Sequence, residues 1–221
     1  MTPSQKIAVC TGLLWAAAAG GMVMVAGQER WLASPEWSLW LAAPLLVLLF
    51  GLAEVFVVHL HLRGDAHTFS MIEIPLILGL FYVDPVVVIT AHAAAGAGAL
   101  YLHRRQPWLK LAFYAGVFAL SATVAVIVFR LLVGGEAELT TSTLLYSGVA
   151  LAAANFVSLG LIVVVILLST GRRQSDEMRA GIQFGILTNL FTISLAIIAV
   201  IVVDSHPALS WLVAVPIGGI Y

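Results

Sequence analysis

Three residues stand inside otherwise apolar runs: Glu54, Glu73 and His92. Two carboxyls and an imidazole can hold a polar ligand head, exchange a proton or respond to pH. The competing reading is a buried hydrogen-bonded knot that fixes helix packing. A second group, His59, His61 and His67 beside Arg63 and Asp65, has the residue types of a weak metal-binding set. On a helix, residues two apart point away from each other, so His59 and His61 would not converge and solvated histidines are the simpler reading. Cys10 is the single cysteine, which excludes an internal disulfide and any zinc spacing. No phosphate-binding glycine loop, Gly-x-Ser-x-Gly or HExxH occurs, so no residue is assigned a catalytic role and no cofactor is read.

The elements that must position these residues follow from composition. The chain has 221 residues, 62% hydrophobic and 10% charged, against about 45–50% and about 25% for soluble domains. Its net charge of −1 provides no basic face for nucleic acid. The expected fold is all-α, a polytopic membrane bundle of about eight transmembrane helices. Apolar runs place these at about 7–27, 39–60, 69–83, 86–102, 109–133, 143–169, 181–203 and 208 onward. The first run is longer than the ~7–15 residues of a signal-peptide core and is read as a retained helix. Asp84-Pro85 separates the short third and fourth helices, which either span fully or form a re-entrant hairpin.

Basic residues orient the layout. With the N-terminus inside, Lys6, Arg63, Arg104, Arg105, Lys110, Arg172, Arg173 and Arg179 face the cytoplasm, leaving Arg30 and Arg130 outside. Glu54, Glu73 and His92 then lie roughly 9, 6 and 15 Å from the inner face, at 1.5 Å per helical residue. Small residues at Ala91, Ala95, Gly96 and Gly98 predict close helix packing within the subunit or, less simply, at a dimer contact. Asn155, Gln183 and Asn189 are expected to hydrogen-bond between helices. The stretch from Ala208 to Tyr221 would cover ~21 Å of a ~30 Å core, so the polypeptide is expected to continue into the cytoplasm.

The segments Glu54-Val-Phe-Val-Val-His59, Ala66-His-Thr-Phe-Ser70, Glu73-Ile-Pro-Leu76 and Gly79-Leu-Phe81 carry a resemblance, as does His103-Arg-Arg-Gln-Pro107 with Leu109-Lys-Leu-Ala-Phe113. About 60 residues here resemble the N-terminal polytopic sensor region of actinobacterial cyclic-di-GMP signalling proteins. The resemblance implies that Glu54, His67, Ser70, Glu73, Pro75, Arg104 and Arg105 are motif positions, and it adds Ser70 to the ligand-binding or proton-sensing candidates. It further implies one membrane domain over residues 1–221, followed by a cytoplasmic diguanylate cyclase or phosphodiesterase. The expected protein is a multi-pass sensor of the bacterial inner membrane, homodimeric, in contact with lipid and a small-molecule ligand, and not itself an enzyme. A looser, fold-level similarity is to substrate-binding membrane subunits of vitamin transporters.

Overall fold

A computed structural model describes residues 2–27, 39–56, 58–62, 65–134, 138–170 and 175–214. Seven α-helices run through these residues: α1 (Pro3–Val25), α2 (Leu39–Val55), α3 (Glu73–Tyr82), α4 (Pro85–Leu102), α5 (Trp108–Val133), α6 (Thr141–Thr170) and α7 (Ser175–Ser205). The helix boundaries follow local chemistry. Thr2 and Gln5 close a capping box ahead of Pro3. The Asp84 carboxylate accepts from the amides of Val86 at 2.8 Å and Val87 at 3.3 Å, and Pro85 opens α4 where no amide is needed. Gly134, at φ +76°, ends α5 in a conformation costly for a side chain.

Five spans have the length and apolarity to cross a membrane: Ser4–Val25, Pro85–Leu102, Trp108–Val133, Thr141–Leu168 and Gly181–Ser205. Two apolar helices are shorter, Leu41–Val55 and Glu73–Tyr82. The ten residues of α3 reach about 15 Å, half of a hydrocarbon core. Of the expected eighth helix, from residue 208 onward, the described residues show only its beginning. Pro207–Ala214 is a 3-10 helix, and residues 215–221 lie outside the described set.

A second difference falls at the end of α2. The helix expected to reach residue 60 stops at Val55. Val58–Leu62 (β1) and Asp65–Phe69 (β2) pair as an antiparallel hairpin, and α3 starts at Glu73, four residues later than expected. The cause is in the sequence: Val58-His-Leu-His-Leu62 alternates apolar and polar residues, a strand period set at the end of a helical run. Ser70 ties this return to the bundle. Its Oγ donates at 2.8 Å to the carbonyl of Ala53, one of the last α2 carbonyls, which have no partner within the helix.

The interior is built from α3, α4 and α5. Eight of the ten residues of α3 are buried, and the helix touches α2, α4, α5, α6 and α7. Phe50, Ile74, Ile77, Phe81, Val88, Ile89 and Phe129 form the center of the core. By contrast only 11% of the spanning window of α6 and 28% of that of α7 is buried, against 50% in α5. The outer helices therefore present apolar side chains such as Leu145, Phe156, Leu187 and Leu190 outward, as a lipid-facing surface would.

Small residues govern close approaches between helices, as at Gly79 of α3 against Val88 of α4. A Cβ at Gly96 on α4 would run into the ring of Phe118 on α5. A Cβ at Gly21 on α1 would meet the Thr123 side chain. Gly98 differs from the close-packing role expected of it: its Cβ position opens onto empty space, because it sits two residues round the helix from Gly96. Ala91 and Ala95 are buried on α4.

Candidate functional site

A cavity of about 470 Å³ lies between the C-terminal end of α2, the Ser70–Ile72 connection and helices α3 to α7. Its wall includes Glu54, Ser70, Glu73 and His92 together. The break between β2 and α3 explains how. The chain leaves the hairpin at Ser70, and the first residue of α3 is Glu73, so the carboxyl stands at a helix N-terminus in the bundle interior. Free amides and the helix dipole there favour a negative or hydrogen-bond-accepting group.

Glu73 is 6% exposed. Its Oε1 accepts from Asn155 Nδ2 at 2.9 Å, across 82 residues of sequence. Its Oε2 is buried and has no hydrogen-bond partner among the described residues. His92 is 2% exposed. Its ring stacks on Phe50, with centroids 4.5 Å apart and planes at 17°, and lies 5.0 Å from the Phe118 ring at 38°. Neither ring nitrogen has a hydrogen-bond partner among the described residues. Leaving such groups unpaired in an apolar interior costs roughly 1–3 kcal/mol each. A structure that keeps them beside a cavity has the donors and acceptors of a binding site in place.

Glu54 is half-buried and lines a second cavity as well, of about 200 Å³. That cavity also includes Arg104, Gln106 and Tyr114, and it shares Phe118, Ser158 and Ile162 with the larger one. Glu54 thus stands where the two adjoin, with the larger space on one side and the exposed α4–α5 connection on the other.

Helices α6 and α7 supply polar groups that the sequence reading assigned to helix packing or passed over. Asn155, Ser158 and Ile162 recur along one face of α6, and Gly185, Thr188, Asn189 and Thr192 along one face of α7. The polar members, Asn155 and Ser158 three apart and Thr188 and Thr192 four apart, were the available signal: polar residues on one face of an apolar helix. Asn155 does bond between helices, to Glu73. The Asn189 Oδ1 is buried without a partner. Gln183 is exposed and is not among the cavity-lining residues. Thr188 and Thr192 turn their hydroxyls back on α7 carbonyls, at 3.0 Å to Phe184 and 3.1 Å to Asn189.

The hairpin register sets His59 opposite Thr68, Leu60 opposite His67 and His61 opposite Ala66. The side chains of these three histidines lie outside the described residues, so their metal-binding reading has no geometry to rest on. Among the described residues no group of three His, Cys, Asp or Glu side chains is placed to hold a metal ion.

The chain matches no family model, no curated protein and no solved structure.

Proposed function

We propose that this chain is the ligand-binding membrane domain of a sensor, multi-pass in a bacterial inner membrane with both ends toward the cytoplasm. In this reading α3 is a half-span element that holds Glu73 in the inner half of the bundle. A homodimer passes occupancy of the cavity to a downstream cytoplasmic enzyme of cyclic-di-GMP turnover. The supporting observation is a bundle cavity whose wall carries the buried, unpartnered Glu73 Oε2 and His92 nitrogens, next to Glu54 and Ser70. The signalling part rests on the resemblance in residues 54–113. A transport role is the second reading. The two adjoining cavities that meet at Glu54 favour it, since they set a central space next to the α4–α5 connection.

One experiment separates the two. The native reading frame is followed past codon 221 and expressed whole, and cellular cyclic-di-GMP is measured for the wild type, Glu54→Gln and Glu73→Gln. A sensor gives altered cyclic-di-GMP at unchanged protein level. A frame without a cyclase or phosphodiesterase, beside transporter ATPase genes, moves the assignment to the transport subunit.

A further inference from the structure

The cavity does not end inside the protein. Phe156 on α6 and Ile186 and Leu190 on α7 line it and are at the same time exposed, at 65%, 42% and 62%. A side chain that both lines a cavity and faces outward marks the rim of an opening. Helix α6 packs chiefly on α5, and its contact with α7 is much thinner for two helices of this length. The larger cavity thus opens sideways between α6 and α7, through an apolar rim, on a face with the composition of a lipid-facing surface. Its floor is polar. Glu73, more than nine-tenths buried, lines it, and among the described residues its buried Oε2 and the buried Asn189 Oδ1 have no hydrogen-bond partner. The Asn189 Oδ1 accepts, both Glu73 oxygens accept when the carboxyl is ionised, and one His92 ring nitrogen accepts when the imidazole is neutral. With Glu73 ionised, the floor calls for a donor on the ligand.

We propose that the occupant is a membrane-borne amphiphile that enters from the bilayer between α6 and α7. Its head is a hydrogen-bond donor, a hydroxyl or an ammonium, held by Glu73 and Asn189. Its apolar tail leaves past Phe156 and Leu190. An apolar tail loses nothing by staying in lipid, so the affinity and selectivity of such a site come from the buried head. A cavity of this size fits a head and the first part of a chain. The proposal rests on the reading of this cavity as a ligand site.

The test uses purified protein in phosphatidylethanolamine–phosphatidylglycerol vesicles and four photoreactive diazirine probes: a hexadecyl amine, a hexadecyl alcohol, and their butyl counterparts. Cross-linked peptides are mapped by mass spectrometry. Expected is saturable labelling of the α6 and α7 lining by a hexadecyl probe, the amine or alcohol arm identifying the head. Glu73→Gln turns an acceptor position into a donor and should lower that labelling about tenfold, the loss of one charge-assisted hydrogen bond. Leu190→Trp, which fills the rim and leaves the floor intact, should lower it as well. Saturable labelling by the butyl probes alone overturns lateral entry while keeping a ligand site. Labelling that is unsaturable and unchanged in both variants overturns the amphiphile proposal as mere lipid contact. No labelling of the lining by any probe overturns both the proposal and the ligand-site reading.

Discussion

Asn155 on α6 donates its side-chain amide to Glu73 at the start of α3, at 2.9 Å. This bond joins the short central helix to one of the outermost ones, and it leaves the second carboxyl oxygen buried without a partner among the described residues. Hydrogen bonds between membrane helices contribute only about 0.6 kcal/mol on average, because unfolded helices find other partners in the bilayer. Stranding a buried carboxyl costs more, roughly 1–3 kcal/mol. Asn155→Leu is therefore expected to destabilise the protein by about 1–3 kcal/mol in a detergent unfolding titration. In the Glu73→Leu background the same change should cost clearly less, giving a coupling energy on the order of 1 kcal/mol. Additivity of the two single changes would show that the bond contributes nothing.

The two glycines of α4 provide a packing test. Gly96→Leu drives a side chain into the Phe118 ring, and overpacking of this kind costs about 1–3 kcal/mol. Gly98→Leu meets open space and should be tolerated. Thermal melting of the two variants should differ by several degrees, with Phe118→Ala partly rescuing Gly96→Leu. Equal melting temperatures would contradict the α4–α5 approach described above.

The same pair shows how much of the molecule was legible in the sequence. Composition and run length gave the helical bundle, and Glu54, Glu73 and His92 stood out because charged or polar groups are expensive in apolar runs. The structure sets them, with Ser70, at one cavity. Gly96 and Gly98 look alike in a row of small residues, and only the rotation of α4 against Phe118 distinguishes them. The hairpin was hidden because Val58–Leu62 continues the apolar count of α2 while its period has changed from 3.6 to 2. On the α7 face only Asn189 stood out, because threonine and glycine are common in membrane helices without any ligand. A lateral opening depends on how far α6 stands from α7, which no local pattern encodes.

His92 allows stability and binding to be separated. Its ring stacks between Phe50 and Phe118 while both nitrogens lack partners. His92→Phe keeps the stack and removes two unpaired polar atoms. Replacing an unsatisfied polar group by an apolar one of similar shape is neutral to stabilising, so the melting temperature should hold or rise. Retention of a bound molecule through purification, read by native mass spectrometry, should fall. His92→Ala should lose stability, because it leaves a cavity beside two aromatic rings. A Phe variant as unstable as the Ala variant would mean that the nitrogens have partners in solution.

In the eight-span layout expected from the sequence, with the N-terminus inside, eight of the ten basic residues sort to the cytoplasmic side. In a Cys10→Ser background, Ala137→Cys should react with a membrane-impermeant maleimide from outside and Ser175→Cys from inside. Reaction on the opposite sides would invert the arrangement and move the α4–α5 connection, with its Arg104, to the outer face.

Glu54 sits where the larger and smaller cavities adjoin, with Arg104 and Gln106 on the far side of it and Thr188 lining the larger space alone. If water and small ions pass between the two spaces, they pass this carboxyl. A charged methanethiosulfonate reagent cannot cross the apolar rim between α6 and α7, since an ion in hydrocarbon is strongly disfavoured. It can reach a cysteine at position 188 only by an aqueous route. Applied from the inner face in a Cys10→Ser background, it should modify Gln106→Cys quickly and Thr188→Cys more slowly. Adding Glu54→Phe, which fills the junction, should slow modification at 188 further and leave 106 unchanged. Glu54→Gln keeps the size of the side chain and should leave the junction open, so any effect it has on signalling output comes from charge rather than from blockage. If position 188 reacts at the same rate with Phe at position 54, the two cavities are separate. Access to the site would then run through the bilayer opening alone, and the transport reading would lose the observation that favours it.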